Sequence, residues 1–437
     1  MHLTTLQMVC MITVLILASL PALIAATKVK SDTDYSLAGR KAGSWMVAGT
    51  IVTTIVGSAA TVGTAQMGFK EGLNALWFTA GCGLGLVVMG IFYARPLRDS
   101  RLTTISEFLV IKYGKTAGPL SSVASTLGIF LSIVASMLTA IHLISGAFNT
   151  NLFLSGIIII AIILLSVLLG GLSGSGISGL IKIGLIIGTI CVAGVKAYTE
   201  LGGLDGMALI FPQEPWLNLY YGGPLKIFYN LLSLIIGVIS TQSYVQALFA
   251  ARDSASAVKG CFIAACITIP AGIPTVIIGM AAQNRNPGIN SIDALPLYLL
   301  SSLPEWLGGV AVGVLILSSL WSISGLVLGC GTLITRDVFK VMFKIDEPRK
   351  LLWFNRICVL AITILAEVFV FRNLNSYVLD WTYLSMSLRG AGIFLPLTFV
   401  LLFKDYVPKK VGVLSMFAGI IVALTWNKIF PGAHDTL

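Results

Sequence analysis

Gln242-Ser243-Tyr244-Val245-Gln246-Ala247-Leu248-Phe249-Ala250-Ala251-Arg252-Asp253 carries an apolar segment to its end and hands it to a short basic loop. The apolar segment is about 25 residues long, and a helix needs roughly 20 to cross the hydrocarbon core of a bilayer. The run therefore reads as the inner end of a membrane helix. Gly237, Ser240 and Thr241 precede it, so the same helix holds small and hydroxylated residues near its middle.

Working outward, the whole chain has this character. Hydrophobic residues make up 57% of its 437 positions and charged residues 11%, with a mean hydropathy of +0.95. Those values exclude a soluble domain of this size. About twelve spans suggest themselves, near 5–26, 43–68, 74–95, 119–147, 153–170, 177–198, 226–250, 257–282, 305–335, 351–371, 376–402 and 411–427. Their length excludes the short alternating strands of a β-barrel. The expected fold is an all-α polytopic membrane protein forming a single transmembrane domain over 1–437.

Loop charge sets the expected orientation. With the N-terminus outside, twenty of the 28 basic residues fall on inner loops or at inner helix ends, among them Lys28, Arg40, Arg98, Arg252, Arg336 and Lys350. The loops 199–225 and 283–304 are poor in bases and hold Glu200, Asp205, Glu214 and Asp293. This is the positive-inside pattern of an inner or plasma membrane protein. The net charge of +10 is explained by loops facing an anionic leaflet, with no nucleic acid. Lys28 and Lys30 follow the first apolar segment and no base precedes it, so it reads as an uncleaved helix, not a signal peptide. All seven cysteines lie within apolar spans without a close CxxC pair, which suits packing, not disulfides or metal.

Twelve spans divide into a leading helix (5–26), five spans over 43–198, five over 226–402 and a trailing helix (411–427). Five is odd, so the two sets start from opposite sides, as an inverted-topology repeat requires. In such folds the first helix of each repeat breaks near the midplane and exposes backbone groups. The second span offers Gly49, Thr53, Thr54, Gly57, Ser58, Gly63 and Gly68; the seventh offers Gly237, Ser240, Thr241, Gln242 and Ser243. Close helix packing explains small residues equally well.

Gln242-x-x-Val245-Gln246 followed by Ala250-Ala251-Arg252 resembles a signature of the sodium:solute symporter family. Asp34-Tyr35-Ser36-Leu37-Ala38-Gly39-Arg40 is similar to its D-Y-x-L-A-G-R, and Thr104-Ile105-Ser106-Glu107-Phe108-Leu109 with Lys112-Tyr113-Gly114 to its inner-loop motif. Gly170-Gly171-Leu172 matches its glycine pair, and Ile334-Thr335-Arg336-Asp337-Val338-Phe339-Lys340 its I-T-x-D-x-(Y/F)-K. The motifs run in order over roughly residues 30–410.

The resemblance implies a sodium site between the unwound second span and the middle of the ninth. It would use the carbonyls of Thr53 and Val56, the backbone of Ser318 and a hydroxyl pair at 321–322. Here the chain departs: Ser322 is present, but its partner is Trp321, whose indole N–H only donates. Ser319 or Ser324 would compensate after a register slip. A second departure lies in the sixth span. Members often carry Thr-Asp-x-x-Gln there, whereas this chain reads Ser178-Gly179-Leu180-Ile181-Lys182. Lys182 either replaces the bound sodium with a tethered cation that cycles a proton or snorkels from a helix end.

The implied substrate cavity involves Gly57 and Ala60 of the second span, His142 of the fourth, Gly237, Thr241 and Gln242 of the seventh, and Arg389 of the eleventh. Sugar carriers place Tyr-Trp where Gly237-Val238 stand and Gln where Ala60 stands, so a sugar, with many hydrogen bonds to replace, is not expected. Arg389 lies about fourteen residues into its span, roughly 20 Å deep at 1.5 Å per residue. It either clamps a carboxylate or pairs with Glu367 or Asp380, two acids that otherwise face water near the outer surface. His142 either faces the cavity or bonds a neighbouring helix.

Together these readings imply a secondary-active transporter, coupling Na+ to a small polar or carboxylate-bearing solute by alternating access. A proton-coupled or sodium-independent carrier built on Lys182 is the alternative. No cofactor beyond the coupling ion is expected, and a monomer suffices. A transporter-like membrane sensor is the reading from another class, and the short tail after the last span speaks against it. An enzyme is not expected: no paired carboxylates, HExxH or Ser–His–Asp pattern lies at useful depth, and the P-loop pattern is absent.

Overall fold

A computed structural model describes residues 3–26, 40–170, 173–344, 347–402 and 408–429. Lys28, Lys30, Asp34 to Gly39, Gly171, Leu172 and Lys404, and the side chains of Ser178 to Ile181, lie outside the described part. The main helices of the first half are α1 (Thr5–Ala26), α2 (Ser44–Ile55), α3 (Thr64–Glu71), α4 (Leu76–Val88), α5 (Ile105–Tyr113), α6 (Ala117–Phe148), α7 (Leu152–Gly170) and α8 (Ser173–Glu200). Those of the second are α9 (Pro224–Ile239), α10 (Gln242–Ala250), α11 (Ser254–Arg285), α12 (Ala294–Ser302), α13 (Glu305–Leu333), α14 (Pro348–Phe371), α15 (Val378–Leu402) and α16 (Lys409–Ile429). Helices close every backbone hydrogen bond within one segment, which is what a solvent without donors or acceptors demands.

Among the described residues, seven helices are long and apolar enough to cross a bilayer, and eight if the bent pair α9–α10 counts as one. Shorter apolar helices cover Thr5–Leu17, Ser44–Ile55 and Leu152–Ile163. One of the seven, Ala59–Asp99, holds 41 residues and would be about 60 Å long if straight. It is a hairpin instead. Val47 lies at Gly260 and Ala65 at Gly279, so α2 and α3 run along α11; Thr79 then lies at Gly272 and Cys261 at Gly90, so α4 runs back. The reversal is made at Gly72, whose φ of 63° favours a residue without Cβ.

Both candidate broken helices are interrupted. α2 stops at Ile55, Val56 leaves the helical region (φ −82°, ψ 50°), and helix resumes through a π turn over Ala59–Gly63. Thr61 Oγ1 donates to the freed Gly57 carbonyl at 2.6 Å. The axis bends 43° between α9 and α10 across Ser240 and Thr241, where Thr241 turns extended (φ −85°, ψ 113°). Thr241 Oγ1 caps the Gly237 carbonyl at 2.6 Å. Hydroxyls beside each break thus supply what the missing helical N–H groups would.

Small residues set the close contacts. Gly309 and Gly313 on α13 bring the backbone of α1 against them at Gln7 and Met11, the four-residue spacing that lets membrane helices approach. At the end of the bundle that carries the basic loops, Ala42 and Ala251 form an isolated parallel bridge. Its bonds run from Ala42 N to Ala250 O (3.1 Å) and Arg252 N to Ala42 O (2.9 Å). Arg98 clamps this joint, donating to the Ala251 carbonyl and to Arg252 O at 3.2 Å.

Candidate functional site

The α2 break leaves carbonyls and hydroxyls facing the middle of α13. Around the α2 break lie Thr53 and Val56, and facing them on α13 lie Ser318, Ser319 and Ser322. Ser318 Oγ donates to the Val56 carbonyl at 3.5 Å, and Ser58 Oγ to Ser319 Oγ at 3.2 Å. Ser322 Oγ is buried without a partner and sits where a Cβ on Gly57 would be. Thr53 Oγ1 is likewise buried and unpartnered. The expected sodium ligands Thr53, Val56, Ser318 and Ser322 therefore do converge on one cleft.

Lys182 enters that cleft from α8. Its side chain is buried, 1% exposed, and its ammonium donates to Thr53 O at 2.9 Å and to Ser318 O at 3.2 Å. The snorkelling alternative is thereby corrected: the side chain is buried and ends on carbonyls of α2 and α13, so it does not reach out to water. Two of the expected sodium ligands already accept from the lysine side chain. A sodium ion on the same carbonyls requires the ammonium to leave, because two like charges cannot share one pair of oxygens.

Beside the cleft is a cavity of about 30 Å³, room for roughly one water. Thr54 and Ser58 line it from the α2 break, Ser132 from α6, Tyr244 from α10, and Met386 and Arg389 from α15. Arg389 is 1% exposed. Its guanidinium donates to Thr241 Oγ1 at 3.0 Å, Ser132 Oγ at 3.0 Å and Ser385 Oγ at 2.8 Å. None of these partners is an acid. Pairing with Glu367 is thus corrected. Glu367 is also not solvated: it is 5% exposed, its Oε2 has no hydrogen-bond partner, and it lies against Gly156 of α7. Asp380 is nine residues before Arg389 on α15 and is not among its partners.

The remaining candidates divide. Thr241 reaches the cavity through Arg389, and Gly237 packs against Met386. Gln242 instead joins the basic end: its side chain accepts from Ile105 N at 2.9 Å and donates to Thr103 O at 3.3 Å. Ala60 is buried and is not part of the cavity lining, nor is His142, whose Nε2 is buried with no partner. Thr104 and Glu107 form a capping box at the start of α5, a local role that the S/T-x-x-E spacing encodes by itself. Ser132, Ser385 and Tyr244 were missed by the sequence reading. Tyr244 lay inside the opening motif, one helical turn from Gln242's neighbours; Ser132 and Ser385 meet only across α6 and α15, so no local pattern marks them.

The model of the Sodium:solute symporter family matches residues 35–419. High-affinity choline transporter 1 of Drosophila melanogaster is 26% identical over 373 residues, which cover 77% of this chain and 57% of that protein. The chain thus spans less than two thirds of the length of that relative. The osmoregulated proline transporter OpuE of Bacillus subtilis is 21% identical over 420 residues, 92% of this chain and 85% of its own. Among solved structures, a Na+-coupled sialic acid symporter in a substrate-bound, outward-open state superimposes with a TM-score of 0.76 over 98% of both chains at 14% identity. That likeness speaks for the fold.

Proposed function

The chain belongs to the sodium:solute symporter family, and from that premise we propose that it is a secondary-active carrier that moves a small polar or carboxylate-bearing solute by alternating access. The observation that carries this reading is the pair of helix breaks, at Val56–Ser58 and Ser240–Thr241, the first lining a small cavity and the second bonded through Thr241 to Arg389 in its wall. Broken helices at the midplane expose backbone to a ligand, and rocking around them opens the cavity to one side at a time. The twelve-span, five-plus-five arrangement is part of this proposal. The hairpin at Gly72 supports it by dividing one helical stretch into two arms, as the bent pair α9–α10 supports one span in two pieces. The basic loops support a reading with the Ala42–Ala251 end inside and the N-terminus outside.

For the coupling ion, the family and the fold of the Na+-coupled sialic acid symporter support Na+ symport. A second reading rests on Lys182, whose ammonium lies on the carbonyls of Thr53 and Ser318. In it the tethered cation stands where the ion would, and the carrier is proton-coupled or sodium-independent. One experiment separates the two: uptake by the purified full chain in proteoliposomes under an inward Na+ gradient or an inward proton gradient. Stimulation by Na+ alone rejects the lysine reading, and stimulation by protons alone rejects sodium symport. No accumulation of any solute in a broad small-metabolite panel rejects the carrier itself.

The solutes named for the relatives do not transfer directly. Choline is a quaternary ammonium, which proteins hold in aromatic cages. Here the cavity presents the guanidinium of Arg389 beside Tyr244, and a fixed positive charge disfavours a cation. Proline and sialic acid both carry a carboxylate and suit the charge of the site better.

A further inference from the structure

We propose that Arg389 is the anchor for a substrate carboxylate, so that the transported solutes are small organic acids. This assignment rests on the carrier reading but on neither choice of coupling ion.

Burying a guanidinium is costly unless an anion compensates it. All the side-chain partners of Arg389 are uncharged: Thr241, Ser132, Ser385, and Met386 Sδ at 3.4 Å. Its Nε donates to the Ser385 carbonyl of its own helix at 3.2 Å. The hydroxyls satisfy the donors without neutralising the charge. They also fix the plane of the fork, since Ser132 and Ser385 hold one end and Thr241, beside the α9–α10 break, holds the other. The guanidinium then borders the cavity with no acid among its described partners.

A second basic side chain lies close by. Thr53, whose carbonyl takes the Lys182 ammonium, is one residue before the cavity-lining Thr54. Lys182, too, is held by neutral oxygens. Of the two basic groups, Arg389 is the one that lines the cavity, and its fixed charge favours an anion there. Of the anionic groups, a carboxylate matches the planar guanidinium with two parallel bonds, and to make both it displaces a hydroxyl partner from the fork. Phe78, Cys82 and Ile55 add apolar lining, which suits a short hydrocarbon body. A cavity of about 30 Å³ requires the occupant to be small and the site to widen as it enters.

The experiment pairs acids with their amides, which keep shape and lose the negative charge. Propionate and propionamide, benzoate and benzamide, and L-proline and L-prolinamide are added to the full-chain protein in nanodiscs, and the thermal midpoint is followed. At least one acid should raise the midpoint by several degrees while its amide does not. Arg389→Gln should abolish that shift. Arg389→Lys, which keeps charge but loses the fork, should weaken the acid at least tenfold, and this variant carries the test if Arg389→Gln fails to fold. Amides that stabilise as well as acids, an acid shift unchanged in either variant, or no response to any acid would overturn the assignment. Uptake by proteoliposomes separates this from the carrier reading. Acids that bind but never accumulate sink the carrier and leave the anchor, whereas accumulation of neutral solutes alone sinks the anchor and leaves the carrier.

Discussion

The ammonium of Lys182 and the carbonyl oxygen of Thr53 lie 2.9 Å apart, with the lysine 1% exposed and the threonine 7%. The carbonyl is available because α2 ends two residues later at Ile55 and the chain unwinds. One break in one helix therefore creates the acceptor, and a base on another helix fills it. A hydrogen bond from a charged donor contributes about 1.5–3 kcal/mol, so this contact also ties α8 to the cleft.

On the tethered-cation reading, Lys182→Ala abolishes the stimulation of uptake by an inward proton gradient. Substrate binding, followed by the same thermal shift as above, remains, because Arg389 is untouched. Undiminished proton-driven uptake in Lys182→Ala would reject a coupling role for the amine.

The seal at the basic end makes a different demand. Arg98 donates to the carbonyls of Ala251 and Arg252, which join the start of α2 to the end of α10. Removing one such charge-assisted bond forfeits about 1.5–3 kcal/mol, and 1.4 kcal/mol is tenfold in an equilibrium. Cys82 is fully buried and borders the cavity, so it reports opening. In a variant with the other six cysteines replaced, Arg98→Ala should speed Cys82 labelling by a membrane-permeant maleimide about tenfold. An unchanged rate would show that Arg98 does not hold the seal.

Gly72 offers a test of the hairpin. Its φ is 63°, and a Cβ there would run into the backbone of Trp216. Gly72→Ala should destabilise by about 1–3 kcal/mol, lowering the thermal midpoint and the yield of folded protein. Gly184 is the control: it sits in α8 with nothing within 4 Å of its Cβ position, so Gly184→Ala should be neutral or stabilising by about 0.5–1 kcal/mol. Equal behaviour of the two variants would mean the turn at Gly72 tolerates a side chain.

What the sequence disclosed depended on whether the signal was local. The breaks were legible because Thr53 to Ser58 and Gly237 to Ser243 concentrate glycines and hydroxyls inside apolar runs. Lys182 was legible as an anomaly, a base within a span, but its partner was not, since a lysine's reach does not reveal which helix it meets. The environment of Arg389 was the least accessible. Glu367 and Asp380 were the nearest acids within apolar spans, and the actual partners, Ser132 and Thr241, lie 257 and 148 positions away. Hydroxyls of that kind are common on every span and carry no pattern that selects them.

The cap of α11 provides a pH dependence whose sign is fixed by geometry. Asp253 is the N-cap residue and its Oδ1 accepts from Ser256 N at 2.6 Å. That bond, chiefly, holds its carboxyl below the ordinary aspartate value, with Arg252 adding a smaller pull. The Arg252–Asp253 pair is 67% and 51% exposed, so it contributes little itself. Because the folded pKa is the lower one, the carboxylate's contribution is complete above the unfolded value of about 3.9 and is lost as pH falls through the folded value. Asp253→Ala should lower the thermal midpoint at pH 7, and its difference from the native chain should shrink below about pH 4. Asp253→Asn caps without a charge, so it should stay near the native midpoint at pH 7. An alanine deficit equally large at pH 3 and pH 7 would assign the effect to the side chain's shape, and the carboxylate would have no part in it.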